Sequence, residues 1–119
     1  MKGLMQVSYG GTDYLVGLIK TKYRGRTNLR FDLSFKRVDN DEECVIDFSK
    51  DIQQLPEFDA YFKEDNDVRS FIISELEKRD LVLYLDRDVE WNNEKYKLYQ
   101  LSYKLLDSCE EGTERVYGW

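Results

Sequence analysis

The strongest constraint on this chain lies between Thr27 and Ser49, TNLRFDLSFKRVDNDEECVIDFS. Leu29, Phe31, Leu33 and Phe35 occupy every second position, with Arg30, Asp32, Ser34 and Lys36 between them. Successive side chains of a strand point to opposite faces, so this alternation gives one apolar and one polar face. Asp39-Asn40-Asp41-Glu42-Glu43 cannot continue such a strand and reads as a turn. Cys44, Ile46 and Phe48 then resume the alternation. Two strands about a polar turn make a hairpin with one apolar face, and the rest of the chain has to cover that face.

The flanking segments suit that task. Gln6–Tyr9 is a short strand ended by Gly10-Gly11, a tight turn. Residues 12–23 form a second strand with apolar residues on both parities, the pattern of a strand covered on both faces. Arg24-Gly25-Arg26 turns into the hairpin, giving a meander of strands 12–23, 28–37 and 43–49. Pro56 prevents one helix across residues 50–65, so Phe58, Tyr61 and Phe62 call for a short extended segment. Asp67–Arg79 is the main helix, capped by Asn66 or Asp67. Val68, Phe71, Ile72, Glu75 and Leu76 share one face, Ile73 widens it, and Lys78 and Arg79 suit the last turn. Leu81–Leu85 is a buried strand or the helix exit. Val89–Trp91 and Tyr96–Leu105 then flank a turn at 92–95, with Tyr99, Leu101, Tyr103 and Leu105 alternating. The expected fold is a single α+β domain over residues 1–106. It has an antiparallel sheet of about five strands, a meander plus a C-terminal hairpin, with one main helix on one face. Residues 107–119 read as a loosely ordered acidic tail from which Val116, Tyr117 and Trp119 can dock.

The chain of 119 residues carries nine Tyr, six Phe and two Trp, enough to build one core without staples. Cys44 and Cys109 are too far apart for a metal or redox spacing, and both are expected reduced. Cys44 shares the parity of Ile46 and Phe48, so it is expected buried. The opening MKGLMQVSYGG lacks the apolar stretch of a signal peptide. Leu81–Leu85 falls far short of the ~20 residues of a spanning helix. The expected location is therefore the cytoplasm.

NLRFDL, a polar turn and CVIDFS resemble a strand–turn–strand unit of small proteins from plasmids, phages and conjugative elements that share an uncharacterised domain. DAYFKEDND, the helix FIISELEKRDLV and the strand YKLYQLSY are similar to the later part of that family's domain, and the resemblance spans residues 27–103. It implies a bacterial mobile-element accessory protein and carries no established activity.

The chain has no histidine, which removes Ser-His and Cys-His nucleophiles and most zinc sites. No phosphate-binding glycine motif is present. Acidic pairs recur at Asp39/Asp41, Asp65/Asp67 and Asp86/Asp88. The first starts like a calcium loop, but Cys44 stands where the loop needs glycine and Lys50 where it needs its last carboxylate. The expectation is a non-catalytic protein without metal or cofactor.

Charge is unevenly distributed along the chain, whose net charge is −6. Residues 20–37 hold Lys20, Lys22, Arg24, Arg26, Arg30, Lys36 and Arg37 against Asp32 alone. Residues 39–67 hold eleven acids against Lys50 and Lys63. Three readings compete. The stretches are two solvated faces; or Asp39, Asp41, Glu42, Glu43, Glu64, Asp65 and Asp67 bind a basic protein; or Lys20, Lys22, Tyr23, Arg24, Arg26 and Arg30 contact nucleic acid, Tyr23 stacking on a base. The second reading gives an inhibitor of anti-CRISPR or anti-restriction character that occupies the nucleic-acid groove of a host protein. A toxin-immunity protein belongs to the same class. The acidic balance weighs against nucleic acid and against anionic membrane.

Overall fold

Gly10 and Gly11 both take positive φ, 58° and 79°, between β1 (Met5–Tyr9) and β2 (Thr12–Lys22). A two-residue turn of that hand matches the twist of paired strands, and it sets Tyr9 opposite Thr12. The computed structural model describes residues 1–23, 25, 27–40, 42–64 and 67–112, Asp67 by its backbone alone. β2 pairs antiparallel with β3 (Leu29–Arg37), and β3 with β4 (Glu43–Asp47), so the meander is present.

The chain changes sheets at Phe48. Its N–H donates to Phe31 of β3, while its carbonyl accepts from the N–H of Lys63. The strands beyond it, β5 (Ser49–Lys50), β6 (Asp59–Lys63), β7 (Val82–Trp91) and β8 (Glu94–Leu101), do not extend the meander. They form a second antiparallel sheet in the order β5-β6-β8-β7. β6 is the short extended segment that Phe58, Tyr61 and Phe62 required. Asn92 and Asn93, both at positive φ, turn the β7–β8 hairpin.

The main helix, α1 (Asp67–Lys78), precedes β7 and ends one residue earlier than the sequence suggests. Asp80 takes φ 56°, the N–H of Leu81 bonds the carbonyl of Leu76, and that of Asp80 bonds Glu77. This is a Schellman stop, in which a left-handed residue lets the last carbonyls find donors. The expected cap falls on Asn66 and the Asp67 side chain, outside the described residues.

The strand expected to run to Leu105 stops at Leu101. Ser102 accepts the N–H of Leu105 at 3.1 Å on its hydroxyl and caps α2 (Tyr103–Ser108). A side-chain oxygen that satisfies a free helical N–H outweighs the alternation of Tyr103 and Leu105 here. After α2, Cys109 is buried and β9 (Glu110–Glu111) lies parallel to β2 at Ile19 and Lys20, beyond the reach of β1. It completes a first sheet of five strands. The expectation of a loose tail is thus corrected for residues 107–112; Val116, Tyr117 and Trp119 lie outside the described residues.

The two sheets and α1 close on one core. Phe62 of β6 is its hub, stacked on Phe48 at 4.5 Å and Tyr99 at 5.5 Å, and edge-on to Phe31 at 6.0 Å. Ile72, Ile73 and Leu76 of α1 and Leu105 and Leu106 of α2 complete it. On the far face of the second sheet, Tyr61, Tyr96 and Leu98 form a smaller cluster beneath Ile52 and Leu55. The polar face of β3 is covered as well, since Asp32 and Ser34 are buried. Here the chain's first residues cross β2 at Gly17, where an added Cβ would stand 2.4 Å from the carbonyl oxygen of Lys2. Two glycine hydrogens make that close approach possible.

Cys44 is not buried. It lies on the outermost strand of the first sheet, where parity alone does not bring cover. No helix among the described residues is long and apolar enough to cross a membrane.

Candidate functional site

The polar turn predicted at Asp39–Glu43 lies between β3 and β4, its described residues exposed. Arg37 holds Asp39 through two bonds, Nε–Oδ1 at 3.1 Å and Nη2–Oδ2 at 2.9 Å. Asn40 accepts the N–H of Glu42 on its side-chain oxygen, an Asx turn that shapes the bend. The carboxylates of Glu42 and Glu43 are exposed and form no ion pair among the described residues, Lys36 standing opposite Glu43 across the ladder. Asp41 lies outside the described residues. Two apolar side chains stand beside these acids, Val38 at 55% and Val45 at 50% exposure. Sequence reasoning missed both; an apolar residue directly following the strand's last charged residue was the only signal.

The second acidic group is not joined to the first. Glu64 lies beyond β6, and Asp47 at the far end of β4 is roughly 13 Å along the strand from Glu43 at strand rise. Glu64 is paired with Lys97 at 3.1 Å, and Lys97 in turn sits over the ring of Tyr84. Asp65 and the Asp67 side chain lie outside the described residues. Asp47 is the best-held acid of this end. Lys63 reaches one oxygen at 3.1 Å and Arg69, itself buried, reaches the other at 2.8 Å. Partial burial works against its charge, yet these two cations keep its carboxyl below the usual carboxylate range.

The basic set is likewise divided. Lys20 bonds Glu111 at 3.1 Å and the carbonyl of Leu106 at 3.3 Å. Arg30 pairs with Asp32 at 3.6 Å and covers the ring of Tyr23 at 5.8 Å. The hydroxyl of Tyr23 is hydrogen-bonded to Ser49 at 2.8 Å, and burial raises its pKa well above the ordinary phenol value. Arg30 covers one ring face of Tyr23, whose hydroxyl is held by Ser49. Arg24 and Arg26 lie outside the described residues. Lys20 and Lys22 do line an open cleft of ≈ 530 Å³ with Phe58 and Tyr103, whose rings meet at 5.0 Å. Glu57 and Asp107 line the same cleft and offset the two lysines.

Basic and acidic stretches also meet across the sheet, Lys36 facing Glu43 in the β3–β4 register. Lys36 thereby offsets part of the charge of Glu43 at the hairpin end without an ion pair among the described residues. Among the described residues, no three Cys, Asp or Glu side chains are grouped closely enough to hold a metal ion. Asp59, whose carboxyl is raised by partial burial, has no second carboxyl to share a proton with in the described β6 ladder. A narrow apolar cavity of ≈ 90 Å³ between α1 and the first sheet is lined by Val7, Tyr9, Tyr14, Val16, Phe35 and Phe71, with no ionisable acid or base among its walls other than the two phenols.

No protein-family model matches the chain, and neither a curated protein nor a solved structure matches it.

Proposed function

We propose that the protein is a non-catalytic binder whose β3–β4 hairpin end captures a basic surface of another protein. The observation that carries this reading is the exposure of Glu42 and Glu43, neither in an ion pair among the described residues, beside the exposed Val38 and Val45. Two further acids of the chain's acidic stretch are offset, Asp39 by Arg37 and Glu64 by Lys97. An acidic surface steers a basic partner over distances near the Debye length, about 8 Å at physiological salt, and adjacent apolar side chains hold what has been steered. A nucleic-acid-binding host protein fits that chemistry, because carboxylates on an exposed turn can stand where phosphates would. The resemblance to mobile-element proteins favours an inhibitor of such a protein.

A second reading rests on Lys20 and Lys22 beside Phe58 and Tyr103, an arrangement that can hold a phosphate and stack a base. One experiment separates the two. The tagged chain, its Glu42→Lys/Glu43→Lys variant and its Lys20→Ala/Lys22→Ala variant are used to capture proteins from the source organism at low and high salt. Each is also titrated with single-stranded oligonucleotide at low salt. The hairpin reading expects a basic protein lost with the glutamate reversal and at high salt, with unchanged melting temperature. Capture insensitive to that reversal, or an oligonucleotide shift abolished by the lysine variant, overturns it.

A further inference from the structure

The acidic hairpin is also an open sheet edge. Among the described residues β4 is the outermost strand of the first sheet, with β3 as its neighbour on one side only. Strand alternation fixes which backbone groups remain free. Phe48 donates its N–H to β3, so Ile46 and Cys44, of the same parity, also turn their backbone groups inward. Asp47 has the other parity, and its carbonyl points outward, where the Nε of Arg69 donates to it at 2.8 Å. Glu43 and Val45 share that outward parity. Their N–H and C=O groups face away from β3 and find no protein partner among the described residues. Arg69 closes the edge at Asp47, so the open part runs from Val45 to the turn.

We propose that β4 binds an extended segment of its partner as an added antiparallel or parallel strand. The segment sets an apolar residue against Val45 and Lys or Arg against Glu43 and Glu42. This inference rests on the reading of the hairpin end as the capture site, and it adds the mode of capture. Backbone groups that already stand in extended order offer an incoming strand directional bonds at little ordering cost. Charge then selects the strand. A second copy of β4, paired antiparallel about Val45, would run over the Asp47 end of the edge, which Arg69 already closes. A basic segment that extends from Val45 toward the turn avoids that end and meets Glu43 and Glu42.

The probe is a fluorescent peptide built on Thr-Val-Thr-Lys-Lys, which in antiparallel register sets Val against Val45 and the lysines against Glu43 and Glu42, and its control carries N-methyl groups on alternate residues, which blocks edge pairing and preserves charge. Binding to the full chain is measured by polarisation, for wild type, Val45→Pro and Glu42→Lys/Glu43→Lys. Val45→Pro removes an outward N–H and no bond to β3. The expected result is binding of the peptide, with about tenfold weaker binding to Val45→Pro, the equivalent of one lost hydrogen bond. The N-methyl control loses affinity by a similar factor on wild-type protein, so the result stands even where Val45→Pro fails to fold. Saturating peptide also slows thiol labelling of the exposed Cys44, while buried Cys109 stays unlabelled throughout. Equal binding of peptide and N-methyl control, lost only with the glutamate reversal, overturns strand addition and leaves charge-driven capture intact. Absence of peptide binding at millimolar concentration overturns strand addition, and capture from the source organism then judges the broader reading alone.

Discussion

β4 and β6 are strands of five residues with acids or lysine at their ends, ECVID and DAYFK, yet their environments are opposite. β6 lies between β5 and β8 and is buried through its three central residues. Tyr61 faces the smaller cluster while Phe62 faces the main core. Among the described residues β4 has one neighbour, and four of its five residues are exposed. The difference is not one of strand propensity. It comes from position, since a central strand is covered by layers on both faces and an exposed edge strand is not. One strand therefore holds the fold together, and the other is free to meet a partner.

The sharpest way to break that contrast is Phe62→Ala. Phe62 is fully buried and joins Phe31, Phe48 and Tyr99. The expected loss is about 3–5 kcal/mol, measured by denaturant unfolding, because transfer and cavity costs add. A loss below about 1 kcal/mol would mean that the two sheets do not meet on this ring.

A smaller effect is expected where the two regions touch, at Asp47. Its folded-state pKa is depressed, so its contribution to stability is full above the ordinary value of 3.8 and is lost as pH falls through the folded value. Asp47→Asn should therefore cost about 1 kcal/mol near neutral pH, the carboxylate being half exposed, and nothing once wild-type Asp47 is itself protonated. Melting temperatures of the two proteins should converge as pH falls below 3.8. A constant difference across that range would show that Lys63 and Arg69 do not hold the carboxylate.

The smallest effect belongs to β4 itself. Val45→Thr should shift stability by less than about 0.5 kcal/mol in the same unfolding assay, because the side chain already meets water. A loss comparable to a core substitution would place Val45 in the interior and remove the edge from consideration.

Much of this arrangement was legible in the residues. The alternation of Leu29 to Phe35, the Gly10-Gly11 turn and the apolar face of Val68 to Leu76 are local signals, and each appears where its period or φ demand required. Cys44 was misjudged because alternation assigns a face and says nothing of what covers it. Tyr103 and Leu105 were misjudged because a strand period ran on past Ser102, whose hydroxyl is a capping group. The candidate site was legible as charge type only. Which acids stay unpaired depends on Arg37 and Lys97, and Lys97 arrives from a strand more than thirty positions beyond Glu64.

By itself the sequence determined the element types, the hairpin turns and the α+β class, since these come from periods of two and 3.6 residues and from local backbone preference. Only the tertiary structure decided that the strands part into two sheets at Phe48, that Gly17 lets the first residues cross β2, and that β4 is left at an edge. Those outcomes depend on which distant surfaces meet, and burial and ion pairing are properties of that meeting.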